Sequence, residues 1–274
     1  MAARLMNAQA QVCRLGKHVA SEATVVRQFH ASCYTASKVA AMINEDDLLN
    51  IAIVNIRKVS KFKPYKSYSG VNNKEEFQQL IANDPAFGSL GLDDERYIIA
   101  RVGGNLVTSL HRKLGDMYEN LFAYLLKESF GLNENELHFS VNVKIGKRDQ
   151  VRSTDGLIRK DKFNQNIPSD WIKYEGIGFE VRSCYQIGDS KRIQADYDMS
   201  LALKSYEILP VMLIFCNTSL KSPVLRLSKS WELYEGRNSF DLVHTITGFD
   251  LYNFLQINSE LLKKEIDNIF SYFL

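Results

Sequence analysis

The fold class is decided by the stretch IGFEVRSC (residues 177–184) and by the elements that surround it in the sequence. Side chains of a strand alternate between the two faces of a sheet, so Phe179 and Val181 share an apolar face. Glu180 and Arg182 share the opposite face, where an acid and a cation stand two residues apart. We therefore predict a strand that contributes one face to a hydrophobic core and the other face to a polar site.

Segments on both sides of this strand predict a sheet covered by helices. Before it, residues 137–145 alternate strictly between apolar and polar side chains, and residues 151–158 are predicted to return as the second strand of a hairpin. After it, residues 195–206 carry helical spacing, and residues 211–216 are apolar on both faces, as in a strand covered on both sides. This order predicts an α/β (α+β) fold with a mixed central sheet flanked by helices.

A long helix is predicted ahead of the hairpin, from residue 105 to a stop signal at Gly131. Its apolar residues recur at steps of three and four: Val107, Leu110, Leu114, Met117, Leu121 and Leu125. Residues 1–95 are mostly helix-like, and helical patterns also end the chain. We therefore divide the chain into a mainly helical N-terminal region (1–100), a candidate arm for DNA contact and dimerisation, and a core (101–274) that carries the sheet.

The composition is that of a folded protein. With 274 residues, 45% of them hydrophobic, and a net charge of +2, the chain has no signature of collagen, coiled coil or disorder. No apolar stretch approaches the ~20 residues that a membrane-spanning helix needs. The first 43 residues hold one acid, Glu22, against five basic residues, which is typical of a mitochondrial transit peptide; we favour an amphipathic helical arm of the fold. The four cysteines are scattered, which favours a reducing compartment.

Asp155 and Glu180 are the residues best placed for chemistry. Asp155 lies in the predicted second hairpin strand, and if that strand pairs with the strand of Glu180, the two carboxylates converge. Mg²⁺ binds a few carboxylate oxygens, keeps several waters, accepts phosphate oxygens and lowers the pKa of a bound water. Arg182 would neutralise charge that develops on the phosphate. The sequence thus predicts a phosphodiester-cleaving site, whereas the alternative for Glu180 and Arg182 is a surface salt bridge.

A first basic segment is a candidate for contact with nucleic-acid phosphates. Lys191 and Arg192 directly follow Ser190, which is the predicted N-cap of a helix. Cations oppose the dipole at a helix N-terminus, but a phosphate bound there reverses this effect. Gln194 is predicted to contact DNA from the same helix. The alternative is that the cations are exposed and screened by solvent.

Residues 57–66 form a second basic segment, with five cations interleaved with Phe62 and Tyr65. Lys61 and Lys63 are predicted to lie along DNA phosphates, with the rings on sugar or base. The alternative is a solvated loop whose lysine stems cover apolar surface.

The order of the acids resembles that of a known nuclease superfamily. A helix with the motif LGDMYE, ending at Glu119, precedes Asp155 and then EVR at residues 180–182, and this order resembles the PD-(D/E)XK nucleases. The run GFEVRSCYQIGDSKRIQAD (residues 178–196) is similar to type II restriction endonucleases of the ApaLI kind. The resemblance covers residues 105–254.

This resemblance implies a restriction-endonuclease-like fold, with Mg²⁺ held by Asp155 and Glu180 and with Glu119 supporting the site. It also implies that a homodimer cuts double-stranded DNA at a specific, palindromic site, in the cytoplasm of a bacterial or archaeal cell. The alternative is a non-cleaving or structure-specific DNA-binding protein on the same fold.

The chain departs from the superfamily pattern at residue 182, where a lysine is expected and Arg182 stands. Arginine stays protonated and can stabilise charge, but it cannot act as a base. The attacking water would then be deprotonated by the metal, by a neighbouring phosphate or by Lys191. Asp170, ten positions before Glu180, also fits the motif, but we favour Asp155 because rigid strands position ligands better than loops.

Overall fold

The computed structural model describes residues 43–63, 65, 68–145, 148–186 and 189–273. Residues 1–42 lie outside the described residues. They include almost all of the N-terminal segment that was interpreted either as a transit peptide or as an arm of the fold. No helix in the described part of the chain is both long and apolar enough to cross a membrane.

The described residues form helices and strands in a mixed order. Listed along the chain, they are α1 (Glu45–Arg57), α2 (Lys74–Ala82), α3 (Glu95–Phe130), β1 (Ser140–Ile145), β2 (Arg148–Ser153), β3 (Gly156–Arg159), β4 (Gly176–Arg182), α4 (Ser190–Ser205), β5 (Ile208–Ile214), α5 (Lys221–Leu227), β6 (Glu232–Glu235), α6 (Arg237–Thr247), α7 (Leu251–Ile257) and α8 (Ser259–Phe273). Short 3-10 helices cover Lys58–Lys61, Gly88–Leu90 and Lys160–Lys162.

The main sheet has the strand order β3-β4-β5-β6, and β1 and β2 form a separate hairpin. Strand β3 runs antiparallel to β4, whereas β4, β5 and β6 are parallel. Parallel neighbours need a crossover connection, and helices α4 and α5 lie in the two crossovers. The predicted α+β fold class with a mixed sheet is confirmed.

The prediction that residues 151–158 form one continuous strand, the second of a hairpin, is wrong. This segment is divided into β2 and β3, because the backbone changes partner at Thr154 and Asp155. The Thr154 N–H donates to the carbonyl of Phe139 (3.0 Å), beside the hairpin, and the Asp155 N–H donates to the carbonyl of Phe179 (2.9 Å) in the main sheet. Asp155 therefore lies immediately before β3, at the point where the chain enters the sheet.

Helix α3 covers one face of this sheet. The ring of Phe122 packs edge-on against Phe179 of β4, with the ring centroids 5.0 Å apart. Gly156 at the start of β3 permits the close approach, since a Cβ at that position would lie 2.7 Å from Cδ1 of Leu126. Helix α1 joins the same hydrophobic core through its inner face.

The predicted apolar stripe of α3 is buried at Leu110, Met117, Leu121 and Leu125. Val107 is 40% exposed, so the prediction for that residue is wrong. The helix begins at Glu95 rather than near residue 105, and its buried stripe continues towards the N-terminus through a different set: Ile98, Val102 and Leu106. The predicted division between residues 100 and 101 falls inside α3, and it stays a prediction.

Helix α4 covers the opposite face of the sheet. Met199 and Leu203 pack in a second apolar cluster with Met212 of β5. Gly178 of β4 allows α4 to approach, because a Cβ there would lie 2.9 Å from Cδ2 of Leu203. Tyr206, the last residue of the predicted helical pattern 195–206, lies one residue beyond the end of α4 and is 58% exposed.

Candidate functional site

Asp155 and Glu180 lie close together at the point where the chain enters β3 beside β4. Gly156 pairs with Phe179, so Asp155 and Glu180 are the chain neighbours of that pair, and the Asp155 N–H donates to the carbonyl of Phe179 (2.9 Å). Both carboxylates reach the guanidinium of Arg182, so they lie on the same side of the sheet. The structure therefore brings together the two acids that the sequence singled out, although Asp155 precedes its strand instead of lying within it.

The guanidinium of Arg182 joins the two acids. Its Nη1 donates to Oδ2 of Asp155 (3.1 Å), and its Nη2 donates to Oε1 of Glu180. The side chains of Asp155, Glu180 and Arg182 are 13%, 8% and 14% exposed. The alternative of a surface salt bridge is thus wrong, because the pair is almost completely removed from solvent.

Asp196 of α4 is a third acid of this cluster, and the sequence reasoning missed it. Its Oδ1 accepts from Nη2 of Arg182 (2.7 Å), and its Oδ2 accepts from the hydroxyl of Tyr185 (2.5 Å). Asp196 is only 3% exposed. A signal was present, because Asp196 stands three residues after Ile193 and three before Met199, on the buried stripe of the helix.

The cluster carries more negative than positive charge. Ionised Asp155, Glu180 and Asp196 bring three negative charges against the single charge of Arg182. Burial raises the pKa of Glu180 well above its ordinary value, and it also raises the pKa of Asp155. The surrounding carboxylates hold the pKa of Arg182 well above its ordinary value, so the guanidinium stays charged. Such a buried excess of negative charge favours the uptake of protons or of a cation.

Glu119 approaches the cluster from α3. Burial, followed by the negative charge of Asp155, raises the pKa of Glu119 to about 7. Its side chain is half-buried, and Arg182 acts in the opposite direction by lowering this pKa. Glu119 is therefore a carboxyl group that changes its charge near neutral pH.

The donor set fits a two-carboxylate magnesium site. Hydrogen bonds from the described residues use Oδ2 of Asp155 and Oε1 of Glu180, and none reaches Oδ1 of Asp155 or Oε2 of Glu180. Mg²⁺ is commonly held by one or two carboxylates, with waters and substrate phosphates as its other ligands. No set of three or more His, Cys, Asp or Glu side chains within the described ranges is arranged to hold a metal ion, so the fit rests on these two acids.

A cleft of about 260 Å³ opens beside the acids, and its wall is partly cationic. Arg152 and Arg192 line it together with Glu180, Arg182 and Asp196. The Nε of Arg152 is buried and has no hydrogen-bond partner among the described residues. The cleft therefore offers positive charge next to the carboxylates, as an approaching phosphate requires.

The first turn of α4 differs from the prediction in one detail. Asp189, not Ser190, occupies the N-cap position, and its Oδ2 accepts from the backbone N–H of Gln186 (2.8 Å) without capping the helix. The prediction for Ser190 is wrong, because the helix already includes this residue. Lys191 and Arg192 are exposed on the first turn, and Arg192 reaches the cleft wall.

The remaining predicted contact residues lie apart from the acids. The amide of Gln194 is engaged within the protein, since it accepts from Arg226 (2.7 Å) and donates to Asp198 (2.8 Å). Lys61 and Lys63 are exposed beside the 3-10 helix that follows α1. Asp170, the alternative first acid, is exposed in the loop before β4 and is not among the carboxylates that contact Arg182.

Comparison with known proteins assigns no family to this chain: no protein-family model, no curated protein and no solved structure matches it. The function is therefore argued from the geometry of the site.

Proposed function

We propose that this protein is a Mg²⁺-dependent deoxyribonuclease of the type II restriction endonuclease kind, which hydrolyses phosphodiester bonds of double-stranded DNA at a specific site. The observation that carries the proposal is the convergence of Asp155 and Glu180 on one buried guanidinium, that of Arg182, beside a partly cationic cleft. The order of α3, β3, β4, α4 and β5 supports a restriction-endonuclease-like fold. A homodimer would place one such site on each DNA strand.

Asp155 and Glu180 would hold the metal ion through the oxygens to which no described residue donates a hydrogen bond, Oδ1 of Asp155 and Oε2 of Glu180. When bound, Mg²⁺ supplies Lewis-acid polarisation of the phosphate and lowers the pKa of a coordinated water. The backbone N–H of Val181 donates to Oδ2 of Asp155 (2.8 Å), which fixes the orientation of that carboxylate. The protein thus presents one oxygen of each acid and holds the other in place.

In this proposal, Arg182 stabilises negative charge on the phosphate and Glu119 transfers protons. Arg182 is fixed by Asp196, which Tyr185 holds in turn, so the guanidinium remains charged beside the phosphate. It cannot accept a proton. Glu119, with a pKa of about 7, is the described acid whose affinity for protons suits their transfer near neutral pH.

Cleavage of a supercoiled plasmid in Mg²⁺, with EDTA as the blank, tests the proposal. We expect Asp155→Asn and Glu180→Gln each to lower the cleavage rate by at least about 100-fold, since each removes an ionised group from the reaction centre. Binding of the same DNA in Ca²⁺ should persist. The matched controls are Asp170→Asn and Glu175→Gln, which remove exposed acids near the start of β4 and should cleave as the wild type does.

The second candidate is a DNA-binding protein that does not cleave, and the identity of Arg182 favours it, because a lysine is expected there in an active member of the superfamily. The plasmid experiment separates the two. Retarded but intact plasmid in Mg²⁺, at every protein concentration, would reject the nuclease and support the binding protein.

A further inference from the structure

A second cleft lies between the 3-10 helix Lys58–Lys61 and α3, and its charged lining is entirely cationic. Its volume is about 610 Å³. Five cations line it, two of them from the middle of α3: Lys58, Lys61, Lys63, Arg112 and Lys113. The basic segment 57–66 supplies only part of this surface, because Arg112 and Lys113 are distant from it along the chain.

Three of these cations have no ion-pair partner among the described residues: Lys61, Lys63 and Arg112. Lys113 pairs with Asp116 (2.6 Å), and the Nζ of Lys58 donates to the neutral Asn55 (2.8 Å). Arg57, the first cation of the same basic segment, faces elsewhere and pairs with Glu265 of α8 (2.6 Å). The unpaired charges are thus concentrated in the cleft, where they repel one another unless an anion binds.

The cleft has a fixed position relative to the acidic centre. Arg112 and Glu119 are seven residues apart on α3, so they lie on the same side of the helix and about 10 Å apart along its axis. The Ser183 hydroxyl donates to the carbonyl of His111 (3.0 Å), which fixes this part of α3 against the end of β4.

We propose that this cleft binds backbone phosphates of double-stranded DNA on one side of the position that is cut. The inference rests on the proposed nuclease function, and it names the residues that hold the substrate outside the acidic centre. The ring of Phe62, which lines the cleft, packs against the main core, and the ring of Tyr65 packs against Phe77, so neither ring is free to stack on unpaired bases. The contacts are therefore ionic and independent of base sequence.

The test compares two triple variants that change the net charge equally. The first is Lys61→Ala/Lys63→Ala/Arg112→Ala. The control is Lys173→Ala/Lys204→Ala/Lys229→Ala, whose exposed lysines lie near the amino ends of β4, β5 and β6, away from the end of β4 that carries Arg182. Binding of a fluorescein-labelled DNA duplex is measured by anisotropy in EDTA, so that no cleavage occurs, as a function of salt concentration.

Each phosphate contact releases about 0.9 counterions when DNA binds. The first variant loses three contacts, so it should release about three fewer counterions than the wild type, and its affinity should depend less on salt. Between about 50 mM and 200 mM salt, the wild type should therefore lose about 40-fold more affinity than the variant does. The control should keep the wild-type salt dependence. An unchanged salt dependence in the first variant, or an equal change in both variants, would overturn the proposal.

Two further measurements separate this inference from the proposed function. If a single-stranded oligonucleotide or an RNA duplex shows the same loss as the DNA duplex, the assignment to double-stranded DNA is overturned. Plasmid cleavage in Mg²⁺ is measured independently. If the wild type binds DNA through the cleft but does not cleave it, the nuclease function is rejected and the proposal for the cleft stands. If the protein cleaves DNA but the salt dependence of its DNA binding is unchanged by the triple substitution, only the proposal for the cleft is rejected.

Discussion

Replacement of Arg182 by methionine tests whether the acidic cluster is held together as a buried, charged unit. The guanidinium donates to Asp155 (3.1 Å), to Asp196 (2.7 Å) and to Glu180, and all three acids are at most 13% exposed. Methionine leaves these carboxylates without a cationic partner, so the buried excess rises from two negative charges to three. Removing one partner of a buried ion pair typically costs about 3–5 kcal/mol. We expect Arg182→Met to lose stability within this range in EDTA at pH 8.

The loss should depend on pH and on magnesium. The pKa values of Asp155 and Glu180 are already raised by burial, and the variant raises them further, so its folded state takes up protons as the pH falls. A group whose folded pKa is raised in this way destabilises the fold more as the pH rises, so the deficit should be smaller at pH 5 than at pH 8. Mg²⁺ should stabilise the variant more than the wild type, because it replaces part of the missing charge.

Urea unfolding followed by circular dichroism measures these differences. Arg96→Met is the matched control, since Arg96 pairs with Asp94 (2.8 Å) at an exposed site, and it should leave the unfolding midpoint unchanged. A deficit below about 1 kcal/mol for Arg182→Met, or a deficit that is the same at both pH values, would refute the description of a buried, charge-coupled cluster.

Two further substitutions examine the surroundings of the site. The pKa of Glu119, about 7 in the folded protein, lies above the ordinary glutamate value of 4.5, so ionisation of this group destabilises the fold as the pH rises through 7. We therefore expect Glu119→Gln to raise the free energy of unfolding relative to the wild type, and this gain should be about 1–2 kcal/mol larger at pH 8 than at pH 5, in EDTA and after allowance for solvent screening. The measurement is urea unfolding at the two pH values, and an equal difference between variant and wild type at both would contradict the expectation. Gly156→Ala should lose about 1–3 kcal/mol, because its Cβ would lie 2.7 Å from Leu126. Gly103→Ala, where a Cβ meets nothing within 4 Å, should instead gain up to about 1 kcal/mol, and a similar loss in both variants would mean that the contact with Leu126 is not the cause.

The elements that the sequence predicted best are those whose periodicity reflects burial. Strand β4 and the C-terminal half of α3 were predicted because Phe179 and Val181, and the residues from Leu110 to Leu125, repeat with the spacing that packing requires. The division between β2 and β3 was not predicted. A strand that changes its pairing partner keeps the same alternation of side chains, so its sequence pattern does not mark the change at Thr154 and Asp155.

The candidate site was predicted in part for a similar reason. Asp155 and Glu180 were identified as isolated acids on neighbouring predicted strands. Asp196 was missed because it lies on a helix whose buried stripe includes the polar Ser200, which weakens its amphipathic pattern. Arg112 was missed as a partner of Lys61 because contacts between residues so far apart depend on how α3 packs against the preceding segment, and no local pattern encodes this packing.

The choice of arginine at position 182 has a consequence for the proposed chemistry. Arg182 offsets one of the three buried negative charges, and one divalent cation would offset the other two. A lysine would give the same total, but its single ammonium group cannot span three separate carboxylates as the planar guanidinium does. Arg182 is therefore better suited than lysine to hold Asp155, Glu180 and Asp196 in place, and it gives up the ability to accept a proton. We infer that the proton acceptor lies outside residue 182, and Glu119, which ionises near neutral pH beside Asp155, is the described residue that meets this requirement.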